Sequence, residues 1–330
     1  MIRMGVVGTG ALGFHHARIL RDVEGVEMVG FFEASEERRA HVVAELGITA
    51  HTSLESLLDA VDAVVIAVPT TAHEVVAVAA LQRDLHVLIE KPLAPDAQAA
   101  DRILAAAEGR DVIVQVGHVE RFNQAIRAAE PYLDGPLFIE SHRMAPFSPR
   151  STDVAVVLDL MIHDVDLIQA LVGAPITDIA SSGIPVLTPN IDIANARISF
   201  QNGAVANLTA SRVSMERLRK LRLFQPSGYI SIDLASGTGE FLRLKKELPI
   251  LSGEGLMDPP PLDGMASLIE RIPLQGDGAE PLRKELENFR DAIRGDAEPA
   301  VTGRQGRDAL MITLDIQNRI RSHVPDSNTA

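Results

Sequence analysis

"IRMGVVGTGALGFHHARIL", residues 2–20, decides the fold class. It begins as a short β-branched run, turns on glycine, and continues with apolar residues at helical spacing. Gly8, Gly10 and Gly13 stand in G-x-G-x-x-G order, with a strand before the turn and a helix after it. That context separates a dinucleotide-binding turn from a chance cluster of glycines. Gly8 permits the tight turn, Gly10 lets backbone approach a pyrophosphate, and Gly13 allows close helix–strand packing. Thr9, Ala11 and Leu12 complete the turn and join the glycines as cofactor-binding candidates. The helix N-terminus offers free N–H groups and a partial positive charge to the phosphates. Twenty residues past Gly13, Glu33 ends a second strand, where its carboxylate accepts from an adenosine ribose and repels a 2′-phosphate. The expected cofactor is therefore NAD rather than NADP, with Ser35, Arg38 and Arg39 close enough to soften the preference.

Outward from this turn, residues 1–122 alternate strands with helices. The strands "VEMVGFFE", "AVVIAV", "HVLIE" and "DVIVQVG" are separated by "SEERRAHVVAELG", "AHEVVAVAALQR" and "DAQAADRILAAAEG". The pattern predicts a Rossmann domain, a doubly wound parallel sheet with helices on both faces. Ligands in such sheets bind at the carboxyl ends of the strands. This places Pro69, Thr70 and His73 near the cofactor, and Glu90 and Lys91 of "IEKPLA" toward its reactive end. Thr71 and Glu74 have capping-box spacing, which gives them, with His73, a structural duty at a helix start. His15 and His16 read as packing or surface residues. From about residue 135, "PLFIESHRM", "DIANARISF", "AVANLTASRV", "KLRLFQP" and "GYISIDL" read as successive strands with short turns such as Gln201-Asn202-Gly203. Residues 249–281 read as a long loop with one short strand, and two helices, "PLRKELENFRDAIRG" and "GRQGRDALMITLDIQNRI", close the chain. The whole is α/β, with residues 123–330 a second, α+β domain on an open, mainly antiparallel sheet.

A chain of 330 residues with 46% hydrophobic and 4% aromatic content holds two ordinary aliphatic cores. It has no cysteine, so disulfide and thiolate chemistry are excluded. A net charge of −14 argues against nucleic acid and anionic membrane as partners. "MIRMGVVG" shows no apolar leader, and "AVVIAVPTTAHEVVAVAAL" is interrupted by Pro69 and polar residues. The expected location is the cytoplasm.

One segment departs from an aliphatic core pattern: "VVLDLMIHDVDLI", residues 156–168. Read as an α-helix at about 100° per residue, it places Asp159, His163 and Asp166 on one stripe, where their side chains reach a common point. Asp164 falls among Leu160, Met161, Val165, Leu167 and Ile168. The plain alternative is a solvated polar stripe with one exposed aspartate.

"GTGALG", "EKP", "VGHVERFN" and Asp159-x-x-x-His163-x-x-Asp166, in this order and spacing, resemble the Gfo/Idh/MocA oxidoreductases nearly end to end. "DVAVVLDL" stands where that family often has Gly-Gly. The resemblance implies hydride transfer between a sugar or polyol carbon and nicotinamide, an open sheet that makes a homodimer or homotetramer, and Lys91, Asp159 and His163 as the catalytic set. A secondary alcohol gives up hydride only when its O–H proton is removed. His163 has a suitable intrinsic pKa, and Lys91 comes into range when buried beside the nicotinamide; the sequence leaves open which takes the proton. Asp159 holds the substrate hydroxyl or orients the ring, and Asp166 backs the imidazole or caps the stripe. No metal is needed, and none is expected on Asp159, His163 and Asp166. A non-catalytic dinucleotide sensor would have no need to keep Lys91, Asp159 and His163 together.

"IESHRMAPFSPRSTD", residues 139–153, leads into the same helix and supplies Arg143 and Arg150. "SRVSMERLRKLR" adds Arg212, Arg217, Arg219, Lys220 and Arg222, whose plain reading is a strand edge or subunit contact. In so acidic a chain these clusters fit an anionic substrate. "VGHVERFN", with His118 and Arg121 as substrate candidates, and "HRMAPFSPR" are similar to segments of bacterial dehydrogenases acting on UDP-N-acetylglucosamine or its uronic acid. The resemblance implies a nucleotide sugar oxidised at C3, feeding an amino sugar of lipid A. The uronate comes second, because no further Arg is assignable to a C6 carboxylate. Inositol or a free sugar is the rival within enzymes.

Overall fold

The short apolar runs assemble into a sheet of five parallel strands in a computed structural model that describes residues 1–148, 154–245 and 268–323. These are β1 (Ile2–Val7), β2 (Val26–Phe32), β3 (Ala63–Ile66), β4 (His86–Glu90) and β5 (Val114–Gly117), in the order β2-β1-β3-β4-β5. Helices α1 (Ala11–Leu20), α2 (Glu36–Leu46), α3 (Leu54–Leu58), α4 (His73–Leu81) and α5 (Ala97–Ala107) alternate with them. Successive strand side chains point to opposite faces, and each face has its own core. Val87 and Ile89 of β4 join Val64 and Ile66 against Leu57, Leu81 and Ile103. Leu88 joins Met4, Val6 and Val65 against Ala17, Ile19 and Leu20 of α1. Fully burying one such side chain contributes about 1.5–3 kcal/mol, so removing either helix layer would undo the sheet.

The closing helices form as expected, over Pro281–Arg294 and Gly303–His323. They complete this first unit: Leu282, Leu286 and Phe289 fill the α1 face, and Leu310 fills the other. The first unit comprises residues 1–122, 157–166 and 279–318, and the second 123–156, 167–278 and 319 onward. Two stretches that the sequence places in the second domain therefore pack with the first. Their apolar stripes match the sheet faces that α1, α4 and α5 leave uncovered, and chain order does not show this.

The second unit begins at α6 (Gln124–Ala129), followed by β6 (Phe138–Met144). After α7 (Ile162–Val172) come β7 (Ile176–Ile184), β8 (Ile193–Phe200), β9 (Val205–Ser211), β10 (Leu218–Gln225), β11 (Gly228–Asp233), β12 (Thr238–Leu244) and β13 (Ile269–Gln275). They form an eight-stranded sheet, β13-β12-β11-β10-β6-β9-β8-β7, parallel only at β6–β9. Gly203, at φ +84°, makes the expected turn between β8 and β9. The sequence pattern does not reveal β7 or β12, so α7 precedes β7 rather than the strand "DIANARISF". β7 is an edge strand whose only fully buried hydrophobic side chain is Ile179, so period-two alternation barely shows. Among the described residues no helix is long and apolar enough to cross a membrane.

Candidate active site

The glycine turn is shaped as its spacing requires. Gly8 has φ +82°, and a Cβ there would stand 2.9 Å from the Ala67 carbonyl. A Cβ on Gly13 would run into the Gly8 carbonyl, whereas one on Gly10 would meet nothing within 4 Å. Gly8 and Gly13 thus serve packing, and Gly10 faces open space that a pyrophosphate can enter. No side chain caps α1 and its first turn carries no acid, which leaves that end suited to an anion. Glu33 lies beside the turn: its Oε2 accepts from the Thr9 amide at 2.8 Å and its Oε1 from the Ser35 amide at 3.0 Å. Burial alone would push this carboxyl up, but the amides of Ser35 and Thr9 outweigh it and hold its pKa below the usual range. The Thr9 hydroxyl donates to the same Oε2 at 3.2 Å, so a ribose hydroxyl reaching Glu33 would replace that donor. Arg38 donates to the Thr9 carbonyl at 2.6 Å and lies over the Phe14 ring, and Arg39 donates to the Glu33 carbonyl at 3.1 Å. Both arginines brace the turn, which fits NAD.

Lys91 directly follows β4, and its bond to Pro92 is cis. Its Nζ donates to the Asp159 carbonyl at 2.8 Å and stands 3.7 Å from the Asp159 carboxylate. The sequence separates these two by 68 residues; the structure brings them together within the first unit. His73 and Glu90, both expected at the cofactor, are buried. His73 is buried, with Nδ1 and Nε2 each 3.0 Å from a backbone carbonyl, those of Pro92 and Val68. It ties two loops, Pro69 and Thr70 lying in the first, and burial lowers its pKa. The capping box does not form: α4 has no side-chain cap, and Glu74 pairs with Arg102 instead. Glu90 points inward, its Oε1 2.5 Å from Nε2 of buried His16. Its other oxygen, Oε2, accepts from the Lys91 amide at 3.3 Å.

Asp159 sits in a π-helical turn, Val157–Met161, and α7 continues from it. Such wider turns occur often at functional sites, and this one replaces the uniform α-helix that the spacing predicts. Asp159 and His163 are half-buried. Asp166 does not back His163. Its carboxylate takes both a 2.6 Å and a 2.9 Å bond from Arg121, while His118 Nδ1 lies 4.0 Å away. The fork of Arg121 is thereby committed to Asp166. His118 is 1% exposed, edge-on to His163 with ring centroids 6.3 Å apart, and burial lowers its pKa. His118 thus packs against His163 of α7, and Arg121 spends its fork on Asp166. Asp164 is buried as well, so it is not the solvated aspartate of the plain reading.

A conserved-family model described as "Oxidoreductase family, NAD-binding Rossmann fold" matches residues 2–118, and one described as "GFO/IDH/MocA C-terminal domain" matches residues 136–231. UDP-N-acetylglucosamine 3-dehydrogenase of Acidithiobacillus ferrooxidans is 36% identical over 317 residues, 96% of each chain. The chain belongs to the Gfo/Idh/MocA oxidoreductase family. A solved structure of that Acidithiobacillus enzyme superposes with a TM-score of 0.87 at 34% identity, covering 97% of this chain and 98% of the other. The scyllo-inositol 2-dehydrogenase (NAD(+)) of Bacillus subtilis is 26% identical over 98% of this chain and 95% of its own.

As a Gfo/Idh/MocA enzyme, the chain is an NAD-dependent sugar dehydrogenase, an oxidoreductase acting on a CH–OH group. Arg143, expected at the substrate, is buried on β6, 2% exposed. Arg150 lies outside the described residues. In the second basic stretch Arg212 is buried and donates to the Val154 carbonyl at 2.7 Å, and Arg222 on the interior strand β10 pairs with Glu140 at 3.4 Å, so neither stands at a solvated strand edge. What the sequence concealed was the pairing of His16 with Glu90 and of Arg121 with Asp166. Its signal was charged residues at positions whose strand or helix period points inward.

Proposed function

We propose that this enzyme oxidises the C3 hydroxyl of UDP-N-acetylglucosamine to a ketone, with His163 as the base. The observation that carries the substrate is the 36% identity over 96% of both chains to a UDP-N-acetylglucosamine 3-dehydrogenase. NAD, held at the glycine turn by Gly10 and Glu33, would supply the hydride acceptor for C3. The chain's own residues handle the proton. Lys91 and Asp159 form an ion pair with lysine as the cation, which suits Lys91 to donate to the reacting oxygen and to favour its negative charge as the proton departs. The half-buried imidazole of His163, one turn after Asp159, is left to take the O–H proton. Asp159 orients Lys91 through its carbonyl and carboxylate. Glu33 selects NAD, and the end of α1 receives the pyrophosphate. The ketone then suits a transaminase, in keeping with a role in an amino sugar of lipid A.

We also propose that the open face of the eight-stranded sheet joins two copies of the chain. Phe138, Phe224 and Tyr229 stack there with centroids 5.7 and 4.7 Å apart, and Phe138 and Phe224 remain about two-fifths exposed. Light scattering reads this; a monomer at micromolar concentration refutes it. For the activity, a panel of nucleotide sugars, myo-inositol, scyllo-inositol and glucose is followed by NADH absorbance and mass spectrometry. UDP-N-acetylglucosamine should lose two hydrogens. Turnover of an inositol or glucose with none of the nucleotide sugar would overturn the substrate. Lys91→Ala and His163→Ala should each depress kcat by roughly 10²-fold or more with NAD binding intact.

A further inference from the structure

Beneath the β4 end that carries Lys91 lies a second ionisable cluster that the reaction above does not use. It is formed by His16 of α1, Glu90 of β4 and Glu285 of the helix Pro281–Arg294. One ligand-type atom of each lies within 4.8 Å of the others, and all three residues are buried, Glu285 completely. The packing already described explains why they meet. Leu88 and Glu90 share the β4 face that α1 and the Leu282–Leu286–Phe289 stripe cover. Gly117, opposite Glu90 on β5, makes the room, since a Cβ there would stand 3.1 Å from the Glu90 carboxyl. Gln115 faces the same helix and donates to the Glu285 carbonyl at 3.5 Å.

Donors and acceptors do not balance there if both acids are ionised. Among the described residues, neither oxygen of Glu285, nor Oε1 of Gln115, nor Nδ1 of His16 has a hydrogen-bonding partner. Buried acceptors without donors are costly, and two buried carboxylates beside one imidazole leave uncompensated charge. A proton on Glu285 supplies the missing donor and leaves one fewer buried carboxylate to be compensated. Burial pushes the Glu285 carboxyl well above its ordinary range, and the Glu90 carboxylate pushes it the same way. The groups that face it are Glu90 from β4, His16 from α1 and the neutral Gln115 from β5. On its own helix Lys284 pairs with Glu287 at 3.1 Å, and Arg121 of the adjoining turn is held by Asp166. A divalent ion fits less well: His16 Nε2 and Glu90 Oε1 are 2.5 Å apart. Two ligands of one zinc, each at about 2.0–2.1 Å from the metal, stand farther apart than that in tetrahedral geometry. A short charge-assisted hydrogen bond fits.

We propose that Glu285 is a positioning residue, a buried neutral acid that completes a shared-proton cluster with Glu90 and His16 and so fixes the strand end from which Lys91 projects. This rests on Lys91 as a reacting group. Glu285→Gln keeps the shape and the neutral donor; Glu285→Ala does not. Unfolding equilibria of the full chain are measured from pH 5 to 8 for the wild type and both variants, with kcat, KM and bound metal. An acid whose folded pKa is raised stabilises fully below the unfolded value, about 4.3, and that contribution is lost as pH rises toward the folded value. The wild type should therefore lose up to about tenfold in folding equilibrium constant per pH unit relative to Glu285→Gln, over the part of this range that lies below the folded value. Glu285→Gln should keep kcat within about twofold, and Glu285→Ala should lose about tenfold or more in kcat at unchanged NAD affinity. A Gln variant less stable at every pH, with no trend, would overturn the neutral acid. So would a stoichiometric zinc that Glu285→Gln removes. An alanine variant with native kcat would overturn the positioning role. If the wild type turned over no alcohol, the dehydrogenase reading would fail alone, because the pH dependence of unfolding reads the cluster without catalysis.

Discussion

Arg121→Ala tests most directly whether this arginine serves the fold or the substrate. In the structure it gives two parallel bonds, 2.6 and 2.9 Å, to an Asp166 carboxylate that is 2% exposed, and a third at 3.3 Å to the Asp166 carbonyl. Removing the guanidinium strands that carboxylate in the interior, with the His118 ring 4.0 Å away. Breaking a buried pair from one side costs about 3–5 kcal/mol. Arg121 itself is 16% exposed, so water reaches the gap, and the lower end, about 3 kcal/mol, is the working value. That is more than a hundredfold in the folding equilibrium. Arg121→Lys should recover only part, because one ammonium does not span both oxygens. Asp166→Asn combined with Arg121→Ala should be more stable than the sum of the single losses predicts, since no buried charge is left unpaired. Urea unfolding followed by far-UV circular dichroism gives the four corners of the cycle. If Arg121→Ala stayed within about 0.5 kcal/mol of the wild type and instead raised KM for the sugar, the reasoning would be refuted and Arg121 would be a substrate ligand.

Glu33→Ala should weaken NAD binding and relax discrimination against NADP, since the carboxylate that repels a 2′-phosphate and braces Thr9 is lost; an unchanged ratio of kcat/KM for the two cofactors would contradict this. Burial lowers the pKa of His118 and of His73, so the folded chain binds fewer protons than the unfolded one. That stability is present above the unfolded value of about 6.5 and declines as pH falls below it, by up to tenfold per histidine per pH unit. Equilibrium unfolding of His118→Gln should show a shallower acid decline than the wild type, and parallel curves would show that His118 keeps its ordinary affinity for protons.

Residues 2–20 determined the parallel sheet, because strand, glycine turn and helix are local features that propensity and spacing encode within one βα unit. The dinucleotide site followed from the same turn, since its anion-binding geometry is backbone and its glycines leave a visible trace. Lys91, Asp159 and His163 were legible through the family's motifs, and period alone showed that polar groups stood where a core was due. The partners of those groups were not legible. Arg121 and Asp166 lie 45 residues apart, and His16, Glu90 and Glu285 come from three distant segments. A charge at an inward position announces that it needs a partner, but its sequence does not say which one. The same holds for the closing helices, whose apolar stripes would fit either sheet by pattern. Only the tertiary structure decided, because burial makes an unpaired charge or an uncovered apolar face costly, and which groups meet that cost depends on how distant segments pack.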